Sequence, residues 1–387
     1  MSPAGHSTHL LLTTNPGLES IVADEFRQRC ADAKLPAPQV ELRPFGFGGQ
    51  VIVHTADGGA ETALQLRSIH HVLHLLYRFD LSDESEAVEV FADSATAEED
   101  IGGDGATPPV TAPCPEVARI YRVLRQRGVP ELDAATTFRV TTKRSGTHPF
   151  TSMDVQRFAG GALLARHGCT VDLENYDVDV RTDVIDRTCI VGIQLSRQPL
   201  SKRISRSLRP VAALKANVAY ALLHLAGISD ETTSFLDPFC GSGTILLEAA
   251  DLHPHLRLFG SDYNAATLAG TRSNIANAGH DTRVALCCCD ARRMAAVYGR
   301  CFDAIVTNPP FGIRHGHRID FDSFYHRLLE QAAQLLRPRG RLALLSWKRG
   351  VIDRVNRRQG LFRRLQARVV ETGGIYPRIY ILERNPE

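Results

Sequence analysis

The chain has 387 residues, more than one core comfortably serves, so two or three domains are expected. Its 45 basic and 43 acidic residues leave a formal charge of +2, so global charge does not announce a nucleic-acid partner. No apolar run approaches the roughly 20 residues of a membrane span, and no basic segment leads into a long apolar stretch at the start. A cytoplasmic protein without membrane contact is expected.

Nine cysteines, an odd count without a CxxC pair, indicate neither a disulfide framework nor a zinc site, and no metal is expected. Only five of the basic residues are lysine. Arginine suits bidentate phosphate contacts, although a GC-rich genome gives the same bias.

In chain order, "HLLLTT" reads as a strand, followed by the turn "NPG" and the amphipathic helix "LESIVADEFRQRC". "QVIVHT" reads as a second strand, and "AETALQLRSIHHVLHLLYRF", 60–79, as a single amphipathic helix. From Asp83 to Pro115 the chain turns acidic and rich in Ala, Gly, Thr and Pro, and its centre reads as a disordered insertion. A helix in "EVARIYRVLRQRG" precedes "TTFRVTTKRSG", 136–146, read as one alternating strand carrying Arg139, Lys143 and Arg144. The segment with His148 and Arg157 reads as a helix after a short loop, and two or three strands follow. "SRQPLSKRISRSLRP" is a basic connector that contains Arg197, Lys202, Arg203 and Arg206.

From Pro210 the rhythm becomes helix, strand, helix, strand, which implies a parallel sheet with helices on both faces. Within it "RVALCCCD" reads as a buried strand, with Cys287, Cys288 and Cys289 as small apolar residues in a reduced core. A final pair of strands, "LQARVVETGG" and "YPRIYILE", closes the chain.

"FLDPFCGSGTILLEAA" is a strand ending at Asp237, a turn with Gly241 and Gly243, and a helix starting near Thr244. Glycines let backbone approach a ligand, and a helix N-terminus favours negative charge. No Gly-Lys-Ser or Gly-Lys-Thr follows, so this is not a P-loop, and Leu246 occupies the third glycine position of the dinucleotide pattern. The next strand end places Asp262 where a carboxylate can accept from both ribose hydroxyls, and the one after it places Asp290 where it can accept from an adenine amine. Strand-end aspartates also cap helices, so the weight lies on three of them together with the glycine turn.

"NPPF" stands at the end of the fourth strand of this half. A base's exocyclic amine is a poor nucleophile because its lone pair is delocalised into the ring. The Asn308 side-chain carbonyl and the Pro309 main-chain carbonyl can each accept one N–H and so free that pair. Phe311 offers a face for a flipped base. Arg314, His315, His317 and Arg318, just after it, could grip phosphates. A stiff Asn-Pro turn is the bland alternative.

These residues resemble motifs I to III and the amino-methylating motif IV of the class I S-adenosylmethionine-dependent methyltransferases. The resemblance implies a Rossmann-like α/β domain over 210–387, mostly parallel with a C-terminal antiparallel hairpin. It implies a cofactor site of Asp237, Phe239, Cys240, Gly241, Ser242, Gly243, Thr244, Asp262, Tyr263, Asp290, Ala291 and Asn308. Pro210 and Lys215, in a segment similar to motif X, are implied to close it.

The segments "HPFTS" and "VDL" resemble the THUMP domain, and "LLLTTNPGLESIVADEF" resembles the ferredoxin-like module that precedes it in RNA-modifying enzymes. The implied order is a ferredoxin-like module over 1–80, the insertion over 81–118, THUMP over 119–197 and a basic linker over 198–209. The family implies structured RNA as partner, for tRNA members the acceptor stem and CCA end, read by shape and phosphate contact. Implied contacts are Arg139, Lys143, Arg144, His148, Arg157, Arg197, Lys202, Arg203, Arg206 and Arg314. The architecture looks like the THUMP enzymes that make N2-methylguanosine at position 6 of tRNA, acting as a monomer. A 23S rRNA guanine-N2 enzyme, an adenine-N6 methyltransferase and a non-catalytic RNA-binding sensor of S-adenosylmethionine are the alternatives.

Overall fold

The computed structural model describes residues 8–82, 87–91, 111–204, 214–299, 302–311, 319–348 and 350–386. Most of the acidic insertion lies outside the described residues, as do Arg206, Pro210, Arg314, His315, His317 and Arg318.

The first half runs β1 (Thr8–Thr13), α1 (Glu19–Asp32), β2 (Gln39–Leu42), β3 (Gln50–Thr55), α2 (Gly59–Leu64), β4 (His71–Asp80), β5 (Val88–Val90), α3 (Pro115–Arg127), β6 (Thr137–Thr141), β7 (Arg144–Ser145), α4 (Ser152–His167), β8 (Thr170–Val171), β9 (Val178–Ile185) and β10 (Thr188–Gln194). These strands form one ten-stranded sheet whose main path is β2-β3-β1-β4-β10-β9-β6-β8. Helix α4 begins where its sequence says it should: Thr151 and Asp154 form a reciprocal capping box, and Gly168 ends it at φ 71°.

The segment 60–79 is not one helix. It splits into α2 and β4 around a turn in which the Glu25 carboxylate accepts from the Arg67 and Ser68 backbone N–H groups at 2.8 and 2.9 Å. Strand β4 lies between β1 and β10 and buries Val72, Leu73, Leu75, Leu76 and Tyr77. Burial on both faces gives a near-continuous apolar run with no two-residue alternation to mark it as a strand. Likewise 136–146 is two strands, β6 and β7. Both run parallel to β9, and between them the Lys143 N–H turns aside to donate to Asp183 at 2.7 Å.

The second half runs α5 (Ala216–Ala226), β11 (Ser234–Asp237), α6 (Thr244–Leu252), β12 (Arg257–Asp262), α7 (Ala265–Asn277), β13 (Val284–Cys288), β14 (Phe302–Thr307), α8 (Phe321–Leu335), β15 (Leu336–Ser346), α9 (Val351–Gln359), β16 (Phe362–Val369) and β17 (Arg378–Arg384). Its seven-stranded sheet has the order β13-β12-β11-β14-β15-β17-β16. The first five strands are parallel, and β17 and β16 form the antiparallel end. Helices α5 and α6 cover one face through Leu222 and Leu246, and α8 covers the other through Tyr325 and Leu329. The cysteine strand β13 is this sheet's edge, not its core: Cys289 is buried, but Cys287 is half-buried and Cys288 exposed, because no described strand pairs with its outer side. None of the described helices is long and apolar enough to cross a membrane.

The two halves meet at the "NPG" turn. Asn15 donates to the Glu371 carbonyl at 2.8 Å and accepts from the buried Asn217 at 2.7 Å, while Leu18 and Ile21 of α1 join the α5–α6 core. Gly17 sits at φ 98°, and a Cβ there would come within 2.1 Å of the Val369 carbonyl oxygen, so no other residue fits the turn.

Candidate active site

Chain order in the second sheet reverses between β11 and β14, and in open α/β sheets ligands bind outside the carboxyl ends at such a point. Strand β11 ends at Asp237 and leads into the glycine turn, while β14 ends at Thr307 and leads into Asn308. Gly241 and Gly243 adopt φ 49° and 83°, and α6 starts directly after them with its N-terminus at the turn. Exposed N–H groups of such a terminus attract negative charge.

The turn is held from behind. The Cys240 N–H donates to the Ser261 carbonyl at 2.9 Å, Asn274 donates to the Ser242 carbonyl at 3.0 Å, and the Thr271 hydroxyl donates to the Gly241 carbonyl. Thr271 and Asn274 lie three residues apart on α7, both fully buried, and their spacing on one helix face was the available sequence signal. Cys240 is packed into the core, where burial pushes its thiol up. That suits a packing residue and not a nucleophile.

Asp237, expected to contact the cofactor, lies buried at the end of β11. It is 1% exposed, and its Oδ1 accepts from the Thr307 hydroxyl at 2.7 Å and from the Phe239 N–H at 3.1 Å. Burial pushes its carboxyl up to about 7. Asp237 therefore braces the glycine turn against the strand that carries Asn308. Asp262 stands at the rim, where its two oxygens accept from the Gly241 N–H at 3.3 Å and the Asn264 N–H at 2.9 Å. Tyr263 beside it is 76% exposed.

Asp290 caps the turn that follows β13, and its carboxylate is paired with Arg292 at 2.6 Å. Hydrogen bonding from Arg292 holds it below the usual carboxylate range. A ligand amine there would share that carboxylate with a guanidinium. Ala291 is buried, and Lys215 stands exposed just before α5.

At the centre, the Oδ1 of Asn308 is buried and has no hydrogen-bond partner among the described residues. An unpaired buried carbonyl costs about 1–3 kcal/mol, so it fits a site whose missing donor arrives with a ligand. Pro309 is buried beside it. Phe311 packs half-buried against the α5–α6 core, so only part of its ring can face a base. The positive-φ glycine turn at a helix N-terminus, the rim carboxylate of Asp262 and the unpaired Asn308 oxygen together suit an α-amino-acid nucleoside such as S-adenosylmethionine.

The cations expected on the RNA side divide sharply. Arg139 is bound to Asp179 at 2.6 Å and lies 3.9 Å over the Tyr176 ring. Arg144 is within 3.0 Å of His148, whose other ring nitrogen meets the Asp186 carbonyl at 2.6 Å. Arg203 is bound to Glu248. Lys143, Arg157, Arg197 and Lys202 are exposed.

Comparison with known proteins gives two family matches: a THUMP domain over residues 118–194 and an RMKL-like methyltransferase domain over 203–378. The chain is 34% identical to the tRNA (guanine(6)-N2)-methyltransferase of Thermus thermophilus, over 96% of this chain and 98% of the relative. It is 28% identical to the tRNA (guanine(6)-N2)-methyltransferase of Archaeoglobus fulgidus, over 63% of this chain and 69% of that one. The crystal structure of TrmN from Thermus thermophilus superposes with a TM-score of 0.73 at 32% identity, covering 98% of this chain and all of that one. With the switch-point site and the unpaired Asn308 oxygen, these matches place the chain in the family of S-adenosylmethionine-dependent THUMP-domain RNA guanine-N2 methyltransferases.

Proposed function

We propose that the protein methylates the exocyclic N2 amine of guanosine 6 in the acceptor stem of tRNA, as a cytoplasmic monomer that needs no metal. The observation that carries the reading is the buried, unpaired Oδ1 of Asn308 at the switch point. The relatives named for position 6 support the nucleotide.

Bound S-adenosylmethionine would supply an electrophilic methyl group on a sulfonium. Its carboxylate would meet the N-terminus of α6 above Gly241 and Gly243, and its ribose hydroxyls would meet Asp262. Asn308 accepts one N–H of the guanine amine through Oδ1, and the Pro309 carbonyl accepts the other. Held by both, the nitrogen loses conjugation with the ring and presents its lone pair for in-line attack on the methyl. The N–C bond would form as the C–S bond breaks, S-adenosylhomocysteine would leave, and the amine's extra proton would pass to solvent. Pro309 and Pro310 fix their φ angles and remove backbone donors, so the loop keeps its carbonyls in one pose. The Asp237–Thr307 bond fixes the strand end from which that loop departs.

The exposed cations Lys143, Arg157, Arg197 and Lys202 suit phosphate contacts along the acceptor stem towards the CCA end. Mass spectrometry of tRNA fragments, and of nucleosides from tRNA and DNA, in cells with and without the gene tests the reading. Loss of N2-methylguanosine from position 6 is expected. Unchanged N2-methylguanosine with a fall in N6-methyladenine in DNA would sink it.

A further inference from the structure

Glu248 is fully buried on α6, one helical turn past Thr244 at the glycine turn. Two guanidinium groups from outside that helix close on it. Arg67, from the turn before β4, lies 2.9 Å from its Oε1. Arg203, from the connector between the halves, donates to both oxygens at 2.5 and 3.2 Å. Arg203 also donates to the Arg67 carbonyl at 3.0 Å, and the Arg67 backbone N–H is held by Glu25 of α1. Asp251, one residue short of the end of α6, takes the far side of Arg67 at 3.2 Å.

This cluster joins the RNA-reading half, the connector and the helix that opens at the cofactor turn. Charges withdrawn from water rarely add stability over apolar residues of the same size, so a fully desolvated carboxylate between two arginines is better explained by the geometry it fixes. The NPG turn joins the halves at one place through Asn15, and the directions of the cluster's charge-assisted bonds supply a second anchor that fixes the angle about it.

We propose that Arg67, Glu248 and Arg203 form a positioning lock that sets the angle between the RNA-reading half and Asn308, and so selects which guanosine enters the site. The selection step rests on the function proposed above, whereas the lock itself does not. RNA held at one angle brings one nucleotide of the stem to Asn308. A slackened joint would bring neighbouring guanosines within reach and lower the fraction of productive complexes.

The test is the Arg203→Met, Glu248→Leu double variant, which removes the buried carboxylate together with one arginine and leaves Arg67 paired with Asp251. Full-length variant and wild type are compared by small-angle scattering, by S-adenosylhomocysteine calorimetry, and by single-turnover methylation of a tRNA transcript with the product mapped by mass spectrometry. The lock predicts a broadened envelope, cofactor and tRNA affinities within about threefold, a rate at least tenfold lower, and methyl groups on guanosines beside the wild-type position. An unchanged envelope with the same single nucleotide methylated at the wild-type rate would overturn it. So would a loss of cofactor affinity that accounts for the whole rate loss, since the cluster would then act only through α6. Should the double variant fail to fold, Glu248→Gln keeps the shape and is read in the same way. If wild type makes no N2-methylguanosine while the variant's envelope still broadens, the proposed function fails and the lock stands.

Discussion

The two sheets use charge in opposite ways. At the carboxyl edge of the seven-stranded sheet Asp237 and Asp290 are paired, but the Asn308 oxygen has no partner among the described residues and Asp262 stands at the rim holding only backbone N–H groups. In the ten-stranded sheet several arginines are instead held by neighbouring side chains. Arg139 is matched with Asp179, Arg181 with Asp183, and Arg144 with His148. An arginine in a sequence is therefore not an arginine on a surface, and the cations proposed to face RNA are the exposed ones, Lys143, Arg157, Arg197 and Lys202.

The comparison breaks most sharply at Asn308. Replacing it with Ala should lower methyl transfer by about 10²–10³-fold or more, while calorimetric affinity for S-adenosylhomocysteine stays near wild type. Retained turnover would remove Asn308 from the mechanism.

Asp237 should show itself in the pH dependence of stability. Its folded pKa of about 7 lies above the ordinary carboxylate value of 3.8, so protonation favours the fold. The stability this contributes is complete below about pH 4 and is lost as pH rises through about 7, at most roughly 4 kcal/mol. Asp237→Asn stays neutral throughout, so between about pH 5 and 8 thermal melts should shift in the variant's favour relative to wild type. Parallel melting curves across that range would place the ionised carboxylate in the native fold.

Arg139→Ala should destabilise the protein by about 2 kcal/mol in urea unfolding, because the buried Asp179 loses its cation and keeps only the neutral donors Thr141 and Gln194, and should change the salt dependence of tRNA binding little. Asn274→Ala should cost about 1 kcal/mol of cofactor affinity by freeing the Ser242 carbonyl in the glycine turn, read by calorimetry. The smallest effects belong to the exposed cations. Lys143→Ala and Arg157→Ala should each weaken tRNA binding a few-fold and reduce the slope of log K against log salt by about 0.7–0.9, with melting unchanged. A destabilised Arg157→Ala with an unaltered salt slope would erase the distinction between spent and free cations.

How far these roles were legible in the sequence follows the same division. The glycine turn, the strand-end aspartates and Asn308 are short-range features, and each stands where its spacing placed it. Asp237 is at its expected place, but its role is set by Thr307, 70 residues on, which no local pattern reveals. Thr271 and Asn274 act on the glycine turn across a helix packing, so their function depends on the tertiary fold. Strand β4 reads as helix in the sequence because a strand buried on both faces loses the alternation that marks a strand. The pairing of Arg139 is not legible locally, because Asp179 lies 40 residues away on β9.

The central claim, an amine-polarising Asn308 aimed at one guanine of tRNA, is tested most directly with two transcripts that differ only at nucleotide 6, guanosine or adenosine. Both are incubated with purified protein and labelled S-adenosylmethionine, then digested to nucleosides. The account predicts N2-methylguanosine from the first transcript and no label in the second. N6-methyladenosine from either, or equal labelling of both, would contradict it.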